Sequence, residues 1–310
     1  MPVLPSDPDA LHRALLVLES AAARAERNPQ PIAAVQPDDF FAALQAAPMN
    51  VRSHLDRVLM GPDPESGLDA LLECGALAAL LPEVAALVGF GDAEWRHKDV
   101  WKHTRQVVAQ SVERLNVRWA ALLHDIGKVK TRTISADGEV HFFGHAELGA
   151  RMFDKLARRT GLFRHEPELH SSVRFLILHH LRANQYESSW TDSAVRRFAR
   201  ELGSELENLL LLAQADITTK RPEKRRRGLA QIDELGARIQ QLAAEDAVQP
   251  PLPSGVGNLI MEAFALPPGR LIGQIKHALE LAVEQGEVPA HQSGDFYVEF
   301  IRARRDRFGL

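Results

Sequence analysis

Nine of the thirteen histidines in this 310-residue chain fall between His97 and His180. Scattered histidines would need no explanation, but imidazoles clustered with aspartates are the donors from which metal sites are built. In chain order the candidates are His103, the pair His124-Asp125, His145, the pair His179-His180, and Asp216. Each lies beside apolar residues. His103 shares helix spacing with Val100 and Val107, His180 with Val173, Leu176 and Ile177, and Asp216 with Leu209 and Ala213. A carboxylate on a core-facing stripe is costly to bury alone and calls for a partner or a metal. Helical cores form such sites from separate helices, each offering imidazole or carboxylate inward. Any one of these histidines taken singly reads as a hydrogen-bonded core residue, so the case rests on the ordered set. The lone cysteine, Cys74, excludes an intrachain disulfide and a cysteine-rich zinc site.

The elements that must position these residues read as helices nearly throughout. ALHRALLVLESAAARAER (10–27) is one helix, followed by a Pro/Gln linker over 28–38. A second helical block runs from Asp39 to about Leu59 and breaks at GPDPESG. Residues 68–90 are two short apolar helices split around Pro82. VRWAALLHD (117–125) is a short apolar helix that ends at Gly127, and residues 144–161 are amphipathic. TRTISADGEVHFF (131–143) is the one strand-like stretch, with Asp137-Gly138 as a hairpin turn. PELHSSVRFLILHHLR (167–182) is apolar nearly all round, which predicts deep burial. Helices follow over Asp192–Leu202 and Glu205–Thr218, the second opened by a Ser204/Glu207 capping box. A helix to about Glu245, the break VQPPLPSG and a helix–turn–helix unit over 257–289 complete the pattern. There is no fixed-period repeat and no βαβ alternation.

The order H…HD…H…H…D, with HDIGK after an apolar helix, resembles the HD superfamily of metal-dependent phosphohydrolases. More narrowly, DVWKHT (99–104), LLHDIGK (122–128), FFGHAELGA (142–150), FLILHHLR (175–182) and AQADITTK (213–220) are similar to the body of bacterial tRNA nucleotidyltransferases that carry an HD domain. ECGALAALLPEVAALVGF (73–90) resembles the segment that precedes HD there, and residues 259–289 resemble the C-terminal helical unit. The resemblance implies an all-α fold: an HD-domain helical core, flanking N- and C-terminal helical segments and at most one small β-hairpin. The expected layout is an N-terminal helix and Pro-rich linker (1–38), a helical segment packing on the HD core (39–95), the HD domain (96–220) and a C-terminal helical domain (221–310). The nucleotidyltransferase head of that family needs a Gly-rich strand turn before its acidic residues. The only Asp-x-Asp near the start is Asp7-Pro8-Asp9, in a proline-broken stretch with no glycine turn before it. The expectation is therefore an HD body without its head, and hydrolysis rather than CCA addition.

Resemblance and ligand chemistry together imply one metal held by His103, His124, Asp125 and Asp216. Asp125 would bridge to a second, held by His145 with His180, His179 or both. Nitrogen and carboxylate donors suit Mn, Fe, Co or Ni and tolerate Mg, one or two ions per site. Such ions lower the pKa of a water and neutralise phosphoryl charge during in-line attack. Lys128, three residues after Asp125, reads either as a phosphate-binding point charge or as a solvated lysine past a helix end. Arg182 is a weaker phosphate candidate and Arg132 weaker still. His141 reads as a surface residue, and His97, His165 and His170 as bystanders.

Thirty-seven basic against 41 acidic residues give a net charge of −4, so the chain as a whole has no pull toward nucleic acid. The run KRPEKRRR (220–227), directly after the Asp216 segment, is the local exception. It is either a solvated face or a guide for RNA. Aromatic residues are only 6% of the chain, which argues against a stacking platform for single strands. No stretch is apolar enough to span a membrane, and no basic-then-apolar leader opens the chain; with one cysteine, this reads as soluble and cytoplasmic. The expected activity is hydrolysis of phosphoester bonds in nucleotides or RNA ends, 2′,3′-cyclic nucleotides among them. The alternative is a tRNA- or RNA-binding body with a vestigial HD site. Oligomeric state is not legible.

Overall fold

Prolines set the starts of the N-terminal helices. The computed structural model describes residues 8–32, 35–90, 99–248 and 250–310, so Asp7 and His97 lie outside it. Proline opens α1 (Pro8–Ala25), α2 (Pro37–Ala46), α3 (Pro48–Met60), α4 (Pro64–Glu73) and α6 (Pro82–Ala85), with α5 (Ala76–Leu80) between the last two. A first helical position has no intrahelical use for an N–H, and the ring presets φ. This explains two departures from the sequence reading. The block from Asp39 to Leu59 is two helices, because Pro48 cannot continue α2 and holds Ala47 outside helical geometry (φ −146°, ψ 60°). Residues 68–85 carry an additional break at Gly75, whose left-handed φ of 79° starts α5.

The site-bearing helices follow: α7 (Val100–Gln110), α8 (Leu115–Leu123), α9 (Lys128–Thr131), α10 (His145–Thr160) and α11 (Pro167–His179). The hairpin forms as expected, β1 (Thr133–Ile134) pairing antiparallel with β2 (Val140–His141), with Thr133 opposite His141. The fold is all-α apart from these two short strands. Only Val173, Leu176 and Ile177 of α11 are buried, so the predicted all-round burial is not found. The helix packs on α8 and α10 through one stripe, leaving Phe175 and Leu178 half-buried. After α12 (Asp192–Leu202), a 3₁₀ turn over Gly203–Glu205 leads into α13 (Leu206–Asp216), where a Ser204 capping box was expected. Glu207 is engaged elsewhere, accepting from Arg114 Nη2 at 2.6 Å.

Two compact units divide the chain: residues 1–185 with 207–229, and residues 186–206 with 230–310. All the candidate ligands belong to the first. The second contains α12, most of α14 (Pro222–Val248), α15 (Val256–Phe264), α16 (Arg270–Glu284) and α17 (Gly294–Arg302). Its core includes Val256, Ile260, Ile275, Leu279, Tyr297 and Ile301. No helix among the described residues is long and apolar enough to cross a membrane.

In the first unit, α8 is bolted to α3 by buried polar groups. Arg118 donates to the carbonyls of Leu59, Gly61 and Ser111. Trp119 donates its indole N–H to Asp56 at 2.6 Å. The Arg52 guanidinium is buried over the rings of Trp119 and Phe163, at 5.0 and 4.5 Å from their centroids. A buried guanidinium is tolerable only when hydrogen-bonded, and here it fixes the helix that ends in His124-Asp125.

The turn after Asp125 must also pass close to α10. A Cβ on Gly127 would fall inside van der Waals distance of the His145 carbonyl oxygen and 2.9 Å from the Gly149 nitrogen. Gly127 has an ordinary helical φ of −69°, so space rather than conformation demands glycine. Gly127→Ala therefore forces α10 away. We expect a loss of about 1–3 kcal/mol in urea unfolding. An unfolding midpoint equal to wild type would show that the two backbones do not pack this closely.

Candidate metal centre

Four imidazoles and two carboxylates from α7, α8, α10, α11 and α13 meet in the first unit. His124 and His180 are the residues immediately after the last turns of α8 and α11. There the final helical carbonyls have no intrahelical donor. Each ring supplies one: His124 Nδ1–H donates to Ala121 O at 2.8 Å, and His180 Nδ1–H to Ile177 O at 2.8 Å. His145, first residue of α10, donates Nδ1–H to Phe142 O, also at 2.8 Å. His103 in α7 is held at Nδ1 by the Thr218 hydroxyl at 2.8 Å. All four Nε2 atoms are thus left to face the centre.

Asp125 joins two triads of potential ligands, His103/His124/Asp125 and Asp125/His145/His180, the ligand atoms of each lying within 4.8 Å of one another. Its Oδ2 is 3.2 Å from His124 Nε2 and 3.6 Å from His103 Nε2, while its Oδ1 is 3.6 Å from His145 Nε2. Asp216 Oδ1 completes the first group, 3.0 Å from His103 Nε2 and 3.7 Å from His124 Nε2. Lys128 Nζ rests 2.6 Å from Asp125 Oδ2.

The electrostatics follow from burial. Asp125 is 1% exposed, and desolvation alone would raise its carboxyl. The charges of His124 and Lys128 more than offset this and hold it well below the carboxylate range. Asp216 follows the same balance: burial pushes up, the His103 contact and the His124 charge pull down, to about 2. Burial together with the neighbouring His124 charge brings His180 down to about 4, and burial lowers His145. His124 is also opposed by desolvation, yet the Asp125 and Asp216 charges raise it.

These donors fit a divalent cation. A carbonyl can only accept, so the Nδ1 protons of His124, His145 and His180 are assigned, and Nε2 carries a lone pair in each neutral ring. His145 Nε2 and His180 Nε2 stand 3.2 Å apart, two lone pairs facing each other unless a cation lies between them. His124 Nε2 is buried with no hydrogen-bond partner among the described residues. Second ring nitrogens tied to carbonyls or hydroxyls are the support that metal-binding histidines ordinarily have.

The remaining sequence candidates lie outside both triads. His179 is half-buried with its ring 4.3 Å from that of Phe175, since adjacent residues on a helix project about 100° apart. Arg182 sits in the turn after α11, its amide donating to His179 O. The Arg132 guanidinium lies 6.0 Å over the Phe90 ring. His141 stacks on exposed Phe143, His165 is exposed, and His170 pairs with Asp154 at 3.3 Å. Thr218 and Gly149 support the centre but are not legible in the sequence, because neither residue type announces a supporting role.

Residues 97–221 match the model for the HD domain. The chain is 30% identical over 264 residues to the CC-adding tRNA nucleotidyltransferase of Thermus thermophilus, covering 83% of this chain and 57% of that protein. It is 29% identical over 257 residues to the A-adding tRNA nucleotidyltransferase of Deinococcus radiodurans, covering 80% and 57%. A Multifunctional CCA protein of Pseudomonas paraeruginosa is 41% identical over 110 residues, 34% of this chain and 26% of that one. Residues 97–221 are thus similar to the HD domain, and over about four-fifths of its length the chain is similar to tRNA nucleotidyltransferases, of whose length it spans little more than half.

Proposed function

We propose that this chain is a metal-dependent phosphohydrolase acting on phosphoester bonds of nucleotides or RNA ends, with 2′,3′-cyclic nucleotides as the most specific substrate class. The observation that carries this reading is the convergence of four Nε2 atoms on buried Asp125 and part-buried Asp216, with His124 Nε2 making no hydrogen bond among the described residues. His103, His124, Asp125 and Asp216 would hold one ion, and Asp125, His145 and His180 a second. Histidine nitrogen with carboxylate oxygen favours Mn, Fe, Co or Ni and tolerates Mg. When bound, such ions lower the pKa of a water and neutralise charge on a phosphoryl group under in-line attack.

The chain's own residues set the conditions for that chemistry. The Nδ1 anchors fix ring directions before substrate arrives, so little reorganisation is needed. Burial of His124, Asp125 and His180 keeps bulk water off the inner side of the centre. Lys128 neutralises Asp125 at 2.6 Å and is free to turn to a phosphate oxygen once that carboxylate is otherwise compensated.

With Mn or Ni added, wild type is expected to turn over 2′,3′-cyclic AMP and a generic phosphodiester, and Asp125→Ala to lose at least about a hundredfold in rate. Equal rates for the two proteins, with no metal in protein purified without chelator, would overturn the reading. Thr218→Val, which removes the hydroxyl on His103 Nδ1 while keeping its shape, should weaken Mn affinity about 10- to 100-fold by calorimetry. Unchanged affinity would exclude the Thr218 hydroxyl as a support.

A second reading is an RNA-binding body whose HD site is vestigial. It is favoured by the names of the relatives and by the exposure of residues 220–227. It requires salt-dependent RNA binding that disappears on charge reversal of Arg225–Arg227, without any metal-dependent turnover. Turnover that depends on Asp125 would exclude it.

A further inference from the structure

The metal centre is not equally closed on all sides. His124 and Asp125 are each 1% exposed, whereas His103 is 13% and Asp216 18% exposed. The open side is therefore the His103–Asp216 side. Next to it is a cavity of about 340 Å³, walled by His103 itself, Gln106, Thr219 and three cations, Lys102, Lys220 and Arg221. That volume falls in the range of small-ligand sites, roughly 300–1,000 Å³. Thr218, which fixes the His103 ring, lies on the same wall and begins the segment that carries two of the cations.

Charge decides what the cavity takes. None of Lys102, Lys220 and Arg221 is ion-paired among the described residues. The one acid in the wall, Asp99, has a carboxylate oxygen occupied in capping α7, accepting from the Lys102 amide at 3.2 Å. The run 220–227 thus has two parts. Lys220 and Arg221 face the cavity, whereas Lys224 to Arg227 lie exposed on the first turns of α14, where Arg226 pairs with Glu223. Three cations beside an open metal centre suit a ligand that has a phosphate group besides the one being cleaved.

We infer that the cavity beside His103 is a subsite for a second phosphate, with Lys220 and Arg221 as its specificity-determining residues and Lys102 as support, so that the chain selects an oligonucleotide over a mononucleotide. This rests on the phosphohydrolase reading for the bond that is cleaved, but the subsite is a binding property and is testable without turnover. A mononucleotide 3′-phosphate can fill the metal side alone; an oligonucleotide ending in the same phosphate fills both.

The test uses the full chain and a fluorescein-labelled RNA pentanucleotide with a 3′-phosphate, followed by anisotropy over a salt series, with 3′-AMP as competitor. Wild type should bind the pentanucleotide at least about tenfold more tightly than 3′-AMP. Each single-strand phosphate contact contributes about 0.7 to the slope of log K against log salt, so Lys220→Gln/Arg221→Gln should lower that slope by about 1.4. The same double variant should bring the pentanucleotide-to-3′-AMP preference toward one. Arg270→Gln/Lys276→Gln, equal in charge and exposed on α16, serves as control and should change neither quantity. Thermal melts confirm that both variants fold. An unchanged slope and preference in Lys220→Gln/Arg221→Gln, or an equal drop in the control, would overturn the subsite. Failure of wild type to hydrolyse 2′,3′-cyclic AMP would instead count against the phosphohydrolase reading and leave the binding result to judge the subsite.

Discussion

A carboxylate that water cannot reach dominates this structure. Desolvating an ion costs several kcal/mol even after the surroundings relax, so the fold must surround Asp125 with compensating charge and donors. Lys128 supplies a direct ion pair, His124 the nearest imidazole, and His103 and His145 stand on either side of the carboxylate. Each compensating group comes from a different turn or helix. Burying Asp125 and assembling the centre are therefore one requirement, and any helix that drifts leaves the charge exposed to an apolar interior.

Helix ends explain how such an assembly is made rigid. The last carbonyls of α8 and α11 lack donors, and the residue just past each helix is a histidine whose Nδ1–H fills one of them. A backbone deficit is met, and the other ring nitrogen is aimed inward. His145 does the same from the opposite direction, reaching back to the carbonyl of Phe142 as α10 begins. Gly127 and Gly149 then let the backbones approach closely enough for the two triads to share Asp125. The Arg118 and Trp119 hydrogen bonds to α3 and its end secure α8 from behind, which gives the N-terminal helices a part in holding the centre.

This arrangement was partly legible in the sequence. Residue type and order picked out His103, His124-Asp125, His145 and Asp216 because imidazole and carboxylate next to apolar stripes have few bland explanations in combination. The all-helical architecture and the Asp137-Gly138 hairpin followed from periodicity and turn chemistry. Other features depend on contacts between segments far apart in the chain, which local patterns do not encode. The apolar count of α11 overstated its burial because composition says how much could be buried and not how many neighbours arrive. The Ser204 capping box had the right letters, but Glu207 found Arg114 across 93 positions. Gly127 read as a helix stop, whereas its φ is helical and its small size is what matters. Prolines mark helix starts, and Pro48 divides a stretch whose apolar pattern runs on without a break.

Exposure also separates what the centre must keep from what it can present. The inner members, His124, Asp125 and His180, are sealed, and their geometry is set by the backbone. His103 differs: its Nδ1 partner is a side-chain hydroxyl, and its ring stands at the wall between the centre and the basic cavity. A hydroxyl can donate or accept, so His103 alone among the four has no tautomer dictated by the backbone. The ligand with the softest restraint thus lies where substrate would enter, while the rigid ligands lie where charge is most expensive to bury. One residue pair, His103 and Thr218, joins the centre to the cavity wall, and the segment that carries Thr218 also carries Lys220 and Arg221. Anything held in the cavity would therefore act on the His103 ring through the short segment from Thr218 to Arg221.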